Sequence, residues 1–177
     1  MDKLVFSVLN KSTLGGILIA LCALYVTPVQ ASVTPFGLEV GKTTINELKK
    51  KLTFTEIEKN RYYGWNHRIT DPQQLKEVKA VEALFVVDEK GILQAIALWK
   101  DQALFEQELE VFTKQYQTVK THTPVVGDKY AEFRDTHSNI LVLELLYKLN
   151  TQLFVIHQTP LFHKKYEEYK EKNQTKS

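Results

Sequence analysis

The sequence is poor in the residues on which most small enzymes rely. Its 177 residues include a single cysteine, and that residue, Cys22, lies inside an N-terminal apolar run. A mature chain that loses this run has neither thiol chemistry nor disulfide bonds. An exported protein without disulfides is more typical of a bacterial periplasm than of eukaryotic secretion, where small domains usually carry them.

An excess of charge of one sign is lacking too. The chain has 23 Lys and Arg against 21 Asp and Glu, a net charge of +2. A nucleic-acid-binding protein usually presents a strong basic field to the phosphate backbone. This composition therefore argues against nucleic acid as a partner.

Motifs for catalysis, metals and phosphates are also missing. After the N-terminal run the only serines are Ser32, Ser138 and Ser177, and none stands in a G-x-S-x-G elbow. The five histidines do not form an H-x-H, H-x-x-x-H or H-E-x-x-H pattern, and no Gly-rich phosphate loop is present. We therefore predict no enzyme activity, no metal site and no cofactor.

The N-terminal 31 residues have the pattern of a cleavable signal peptide. Lys3 and Lys11 precede an apolar run at 14–26, which is short beside the roughly 20 residues of a membrane helix. Small residues lead up to a cleavage site between Ala31 and Ser32. Leu21 before Cys22 is too large for a lipoprotein signal, so no stable membrane anchor is expected after cleavage. An uncleaved N-terminal anchor is the alternative.

The mature chain, 32–177, alternates helical and strand patterns and reads as one α+β domain. A capping box at Thr44–Glu47 begins a helix, and apolar residues at helical spacing predict another. Pro160 opens a C-terminal helix with an aromatic stripe of Phe162, Tyr166 and Tyr169. Helices are predicted at about 43–52, 102–118 and from 160, and strands at 53–57, 62–69, 81–87, 92–99, 129–134, 139–147 and 152–158. A polar break is predicted at 70–76, and turns are predicted at 88–91, where Gly91 closes a hairpin, and at 148–151. Within 140–149 one face of the strand is apolar, formed by Leu141, Leu143, Leu145, Tyr147 and Leu149.

This order of elements predicts an antiparallel sheet with helices packed on one face and a C-terminal helix. The pattern of one helix followed by several strands occurs twice. The two halves of the domain are therefore expected to be related in topology, although no residue-level repeat supports a duplication. No low-complexity linker separates them.

One segment, 61–68, combines aromatic rings with basic and amide side chains. Exposed rings beside arginines suit sugar stacking or a protein-binding hot spot. The competing interpretation is a strand with Tyr63, Trp65 and Ile69 packed on one inward face. The candidate binding residues of this segment are Arg61, Tyr62, Tyr63, Trp65, His67 and Arg68.

Two stretches resemble small exported proteobacterial proteins of unassigned role. The first runs from Pro35 to Leu48 (PFGLEVGKTTINEL), and the second from Val126 to Arg134 (VGDKYAEFR). The G-x-[ST]-x-x-[DE]-[LV] core, with one extra residue here, is similar to outer-membrane assembly lipoproteins and β-lactamase-inhibitor-like modules. This chain lacks their lipobox cysteine and the Gly-x-Pro after their first helix. The resemblance implies a helix-on-sheet binding module of the envelope, without catalytic residues.

These observations favour a non-catalytic periplasmic protein that binds another envelope protein or a glycan, through its sheet face or segment 61–68. Two alternatives stay open. One is a small envelope hydrolase in which His67 or His157 meets a carboxylate in a cleft. The other is a secreted factor directed at a host.

Overall fold

The computed structural model describes residues 34–146 and 152–174. Within them an eight-stranded antiparallel sheet carries four helices, which confirms the predicted α+β class. The proposed signal peptide with its Ala31–Ser32 site, and the turn predicted at 148–151, lie outside the described residues. The helices are α1 (Ile45–Lys51), α2 (Pro72–Leu75), α3 (Phe105–Gln115) and α4 (Pro160–Gln174), and the strands are β1 (Thr55–Lys59), β2 (Trp65–Ile69), β3 (Ala80–Val87), β4 (Leu93–Asp101), β5 (Gln117–His122), β6 (Lys129–Arg134), β7 (Ile140–Leu145) and β8 (Gln152–Gln158).

Each half of the chain contributes one longer helix followed by four strands that pair in succession. Helix α1 precedes β1 to β4, and α3 precedes β5 to β8. The strand order β1-β2-β3-β4-β8-β7-β6-β5 places β4 and β8 side by side in the centre and leaves β1 and β5 at the edges. The two halves are therefore related in topology, as the sequence pattern predicted.

The capping box predicted from the sequence starts α1. The Thr44 hydroxyl accepts a hydrogen bond from the Glu47 backbone N–H at 3.3 Å. The Glu47 carboxylate in turn accepts one from the Thr44 backbone N–H at 2.7 Å. Two N–H groups that the helix itself cannot satisfy are thus paired, which fixes the point where α1 begins.

Helices α1, α2 and α3 cover one face of the sheet, called here the helical face. They contribute Leu48, Leu75, Phe105 and Phe112 to a single apolar cluster. Alternate residues of the strands complete this cluster, because successive side chains of a strand point to opposite faces. The sheet residues at its centre are Phe85, Ile96, Leu98, Ala131, Phe133, Leu141, Leu143, Leu153 and Val155.

The structure corrects several of the predicted boundaries. Helix α3 ends at Gln115 rather than near 118, and an unpredicted edge strand, β5, follows it. All six residues of β5 are exposed, so the strand carries no apolar alternation for a sequence pattern to detect. The polar break predicted at 70–76 contains the short helix α2, whose N-terminus is capped by the Asp71 side chain.

Helix α4 lies on the opposite side of the sheet from the other three helices. Its Phe162 forms a separate buried cluster with Val86 of β3 and Ala95 of β4. We call this side the cleft face. Because a single helix cannot cover eight strands, part of the cleft face stays accessible, and the candidate site lies there.

Candidate functional site

A cleft of about 230 Å³ lies between α4 and the sheet; we call it the α4 cleft. Strand registers place its floor in two neighbouring rows across the central strands. One row consists of Leu84, Ala97, Ile156 and Val142, and the next contains Trp99, Phe154, Glu144 and Tyr130. The remaining side chains that line it are Asn60, Tyr62, Val86, Ala95, Gln158, Phe162, His163, Tyr166, Glu167 and Lys170.

The beginning of α4 is fixed at one end of this cleft by hydrogen bonds. The Thr159 hydroxyl accepts a bond from the Phe162 backbone N–H at 3.2 Å and donates to the Gln94 side chain at 2.8 Å. Pro160 occupies the first turn, where a missing N–H costs nothing. The helix therefore leaves the end of β8 in a defined direction over the sheet.

Tyr62 supports α4 from the side. Its ring meets those of Phe162, Tyr166 and Tyr169 at centroid distances of 6.2, 5.1 and 4.8 Å, all in tilted edge-on geometry. The three helix residues form the aromatic stripe that the sequence predicted. Small residues lie below the helix, with Ala97 only 4 % exposed in the floor. The space between α4 and the sheet remains open because the Tyr62 ring supports the helix from the side and the small Ala97 side chain below it fills little volume.

The floor of the cleft carries two large aromatic rings. Trp99 and Phe154 are cross-strand neighbours, with ring centroids 5.3 Å apart. Both side chains are half-buried and line the cleft. Rings in this position offer flat apolar contact to a bound group.

Gln158 is a buried polar residue in the cleft wall, 2 % exposed. Its Nε2 donates a hydrogen bond to Nδ1 of His163 at 3.0 Å. Its Oε1 has no hydrogen-bond partner among the residues that the structure describes. A buried amide oxygen without a partner is costly, so this atom is open to a hydrogen-bond donor that enters the cleft.

Glu144 is the one residue of β7 that brings a charge into the cleft. It lies between Tyr130 and Phe154 in the strand register and is half-buried. Burial raises the pKa of its carboxyl group, Lys170 opposes this, and Asp128 and Glu167 add to it. Within residues 34–146 and 152–174, Glu144 has no ion pair and no side-chain hydrogen bond.

The other charged groups of the wall balance each other. Lys170 Nζ is 3.5 Å from a Glu167 oxygen and 5.1 Å from the centroid of the Tyr166 ring. The Tyr166 hydroxyl stays protonated, because burial and the nearby Glu144 raise its pKa to about 12. Tyr130 donates a hydrogen bond to Glu132 at 2.8 Å, and burial raises its pKa as well.

Segment 61–68 does not form one continuous patch. Tyr62 and Tyr63 pack with the Phe162 cluster on the cleft face, whereas Trp65 and His67 lie on the helical face. The strand begins only at Trp65, after Gly64 adopts a φ of 82°. A Cβ at Gly64 would lie 2.3 Å from the Val87 carbonyl oxygen, so only glycine fits this turn.

The interpretation that placed Tyr63 beside Trp65 and Ile69 is wrong, because Tyr63 precedes the strand and strand alternation does not reach it. The remaining members of the segment are dispersed. Arg61 is exposed, and Arg68 Nε lies 2.9 Å from a Glu82 oxygen. Of the six candidate residues only Tyr62 lines the α4 cleft.

The two histidines considered for a hydrolase lie away from this cleft. His67 is buried, with its ring 5.0 Å from that of Phe54, and burial lowers its pKa. His157 lines a second cleft, on the helical face, and complete burial together with Lys100 lowers its pKa to about 3. The Glu108 carboxylate in that cleft is bound by Lys100.

Two further observations concern the described residues as a whole. No group of three or more His, Cys, Asp and Glu side chains in the described ranges is arranged to hold a metal ion. None of the helices α1 to α4 is long and apolar enough to cross a membrane.

Comparison with known proteins gives no relative. No family model, no curated protein and no solved structure matches the chain. The function is therefore inferred from the chemistry of the cleft.

Most of the cleft residues were missed by sequence reasoning, because they come from five strands, the turn between β1 and β2, and α4. One sequence signal pointed to them, since Glu144 interrupts an otherwise apolar strand.

Proposed function

We propose that this protein is an exported, non-catalytic binding module of the cell envelope, which holds an apolar ligand or an apolar segment of a partner in the α4 cleft. The observation that carries this proposal is the cleft itself. It has an apolar floor, aromatic walls and a few polar groups, which is the usual composition of a ligand site.

The unpaired polar groups favour the α4 cleft over the cleft on the helical face. That second cleft, of about 240 Å³, has its central Lys100 and Glu108 bound to each other. In the α4 cleft, Gln158 Oε1 and the Glu144 carboxylate lack such partners among the described residues. Groups without internal partners gain most from a ligand that supplies them.

Export is supported by the N-terminal pattern and by the resemblance to small exported proteins. We expect the mature protein to begin at Ser32 and to occur in the periplasmic fraction. Mass spectrometry of the protein from fractionated cells measures both. Recovery of an intact N-terminus in the membrane fraction would favour the uncleaved anchor, and recovery from the culture medium would favour a secreted factor.

Binding is tested with N-phenyl-1-naphthylamine, an uncharged apolar fluorophore. We expect its fluorescence to rise when it is added to the purified protein. Ala97→Phe fills the floor and should weaken binding about tenfold or more, because the ring occupies the ligand's space. The matched control is Ala103→Phe at an exposed position outside the cleft, which should leave binding unchanged. Equal affinity of both variants would show that the probe binds elsewhere.

A further inference from the structure

We infer that the ligand of the α4 cleft is an amphipathic cation, with an apolar body on the cleft floor and a protonated amine beside Glu144. This inference rests on the proposed function and names the chemical class that the site takes. It is carried by the placement of unpaired acceptors around an apolar floor.

Among the described residues that line the cleft, one carboxylate has no ion pair. The charged residues are Glu144, Glu167 and Lys170; Lys170 is paired with Glu167, and its charge acts on Glu144 only from beyond ion-pair distance. In the strand register Glu144 lies between two aromatic residues, Phe154 and Tyr130. Because Glu144 is half-buried, its carboxylate is only partly hydrated. A half-buried carboxylate without a partner attracts a cation more strongly than an exposed one, since the medium around it is less polarisable.

The aromatic residues around Glu144 suit the same ligand. Tyr130, Phe154 and Tyr166 line the cleft beside it, and Trp99 adjoins Phe154. The faces of such rings carry negative electrostatic potential and attract ammonium groups. Lys120 Nζ already lies 5.5 Å from the centroid of Tyr130 and Lys170 Nζ 5.1 Å from that of Tyr166, so the ligand's amine is placed against Phe154 and Trp99. The Glu144 carboxylate and these two rings together favour a cation over a neutral or anionic head group.

The length of the ligand follows from the second unpaired acceptor. Phe154 is the β8 residue paired with Glu144, and Gln158 lies four residues further along the same strand. Four residues of a strand span about 13 Å. The row between them is apolar: Leu84, Ala97, Ile156 and Val142. A slender apolar chain of this length spans the cleft from the amine at Glu144 to Gln158, where a hydrogen-bond donor at the end of the ligand meets the unpaired Oε1.

The test uses three probes that share a ten-carbon chain: decylamine, decanol and decanoate. The fluorescence of Trp99 reports binding, because this residue lines the cleft. The substitution Trp65→Phe removes the fluorescence of the only other tryptophan, which lies on the helical face. In this variant at pH 8 we expect decylamine to bind about tenfold more tightly than decanol, and decanoate more weakly than either.

Glu144→Gln removes the charge with little change in shape and should reduce the preference for the amine over the alcohol to less than about twofold. Glu168→Gln is the matched control, because Glu168 pairs with Lys165 and does not line the cleft. Binding of N-phenyl-1-naphthylamine should be similar in both variants and in the parent protein.

The outcomes separate this inference from the proposed function. Equal binding of decylamine and decanol, a preference for decanoate, or a preference for the amine that survives Glu144→Gln would each overturn the amine assignment. Binding of the uncharged fluorophore would still support the cleft as a ligand site in those cases. If neither the fluorophore nor any of the three probes binds, both proposals are wrong.

Discussion

The two faces of the sheet are built from the same eight strands but are packed in different ways. The helical face is covered by three helices, and its central residues, such as Phe85, Phe133 and Leu143, are completely buried. The cleft face has only α4, so Leu84, Trp99 and Phe154 stay partly exposed. The same contrast holds for charges, since Lys100 and Glu108 are paired on the helical face and Glu144 has no such pair within the described part of the cleft face. The helical face is packed for stability, although His67 Nδ1 has no hydrogen-bond partner there among the described residues, whereas the cleft face combines such groups with space that a ligand can enter.

The largest effect is expected from breaking the ion pair of the helical face. Glu108→Gln should lower the free energy of unfolding by about 3–4 kcal/mol, because the buried Lys100 is left without its counter-charge. The double variant Lys100→Met, Glu108→Leu should recover most of this loss. Urea denaturation measures both. A small effect of the single variant would mean that Lys100 reaches water when its partner is removed.

The same leucine deletion on each face gives the most direct comparison of packing. Leu143→Ala, at a position 0 % exposed, should cost about 3 kcal/mol of unfolding free energy. Leu84→Ala, in the half-buried floor of the α4 cleft, should cost only about 1 kcal/mol but weaken probe binding. Equal costs in urea denaturation would contradict the difference between the two faces.

His157 gives the helical face a dependence of stability on pH. Its pKa is about 3 in the folded protein and about 6.5 when unfolded, so below pH 6.5 the unfolded chain binds the extra proton. The stabilisation that comes from neutral His157 should be fully present above pH 6.5. Because of this histidine, the free energy of unfolding should fall by about 2 kcal/mol between pH 7 and pH 5. The decrease should continue down to about pH 3, the folded-state pKa.

Denaturation curves of a His157→Gln variant provide the control for this pH effect. The variant should lose most of the dependence between pH 7 and pH 5. A remaining part is expected from His67, whose pKa burial also lowers. An unchanged slope in the variant would assign the effect to other groups.

The smallest effect is expected where α4 meets its aromatic support. Tyr62→Ala removes contacts with three rings, each worth about 0.5–1.5 kcal/mol, so local opening of α4 should become easier by about 1–2 kcal/mol. Hydrogen exchange of the α4 amides measures this change. Trp65→Ala, in the same segment but on the helical face, should leave α4 protection unchanged.

The sequence was sufficient for the fold wherever a local signal and burial agreed. The capping box of α1, the β3–β4 hairpin at Asp88–Gly91, and the buried face of β7 with Leu141 and Leu143 were all predicted. Edge strand β5 was missed although the equally exposed edge strand β1 was predicted, because the predicted helix at 102–118 extends into the first residues of β5. Strand β2 was predicted to begin at Tyr62, before the turn that Gly64 requires.

The candidate site was harder to predict than the fold. The α4 cleft depends on which face of the sheet α4 packs against, and the aromatic stripe of Phe162, Tyr166 and Tyr169 specifies no face by itself. Cross-strand registers then bring together residues far apart in the chain, such as Leu84 and Val142. Segment 61–68 was predicted as a patch because its composition was conspicuous, but only Tyr62 reaches the cleft.

The most direct test of the proposed site is an NMR measurement of intermolecular NOEs between decylamine and protein methyl groups. Neighbouring residues of β7 and of β8 present methyl groups to opposite faces of the sheet, so each of these two strands contains its own control. We expect NOEs from the alkyl chain to Leu84, Val142 and Ile156 in the α4 cleft, and none to Leu98, Leu143 and Val155 on the helical face. NOEs confined to the helical-face methyl groups, or no NOEs at saturating ligand, would contradict the account.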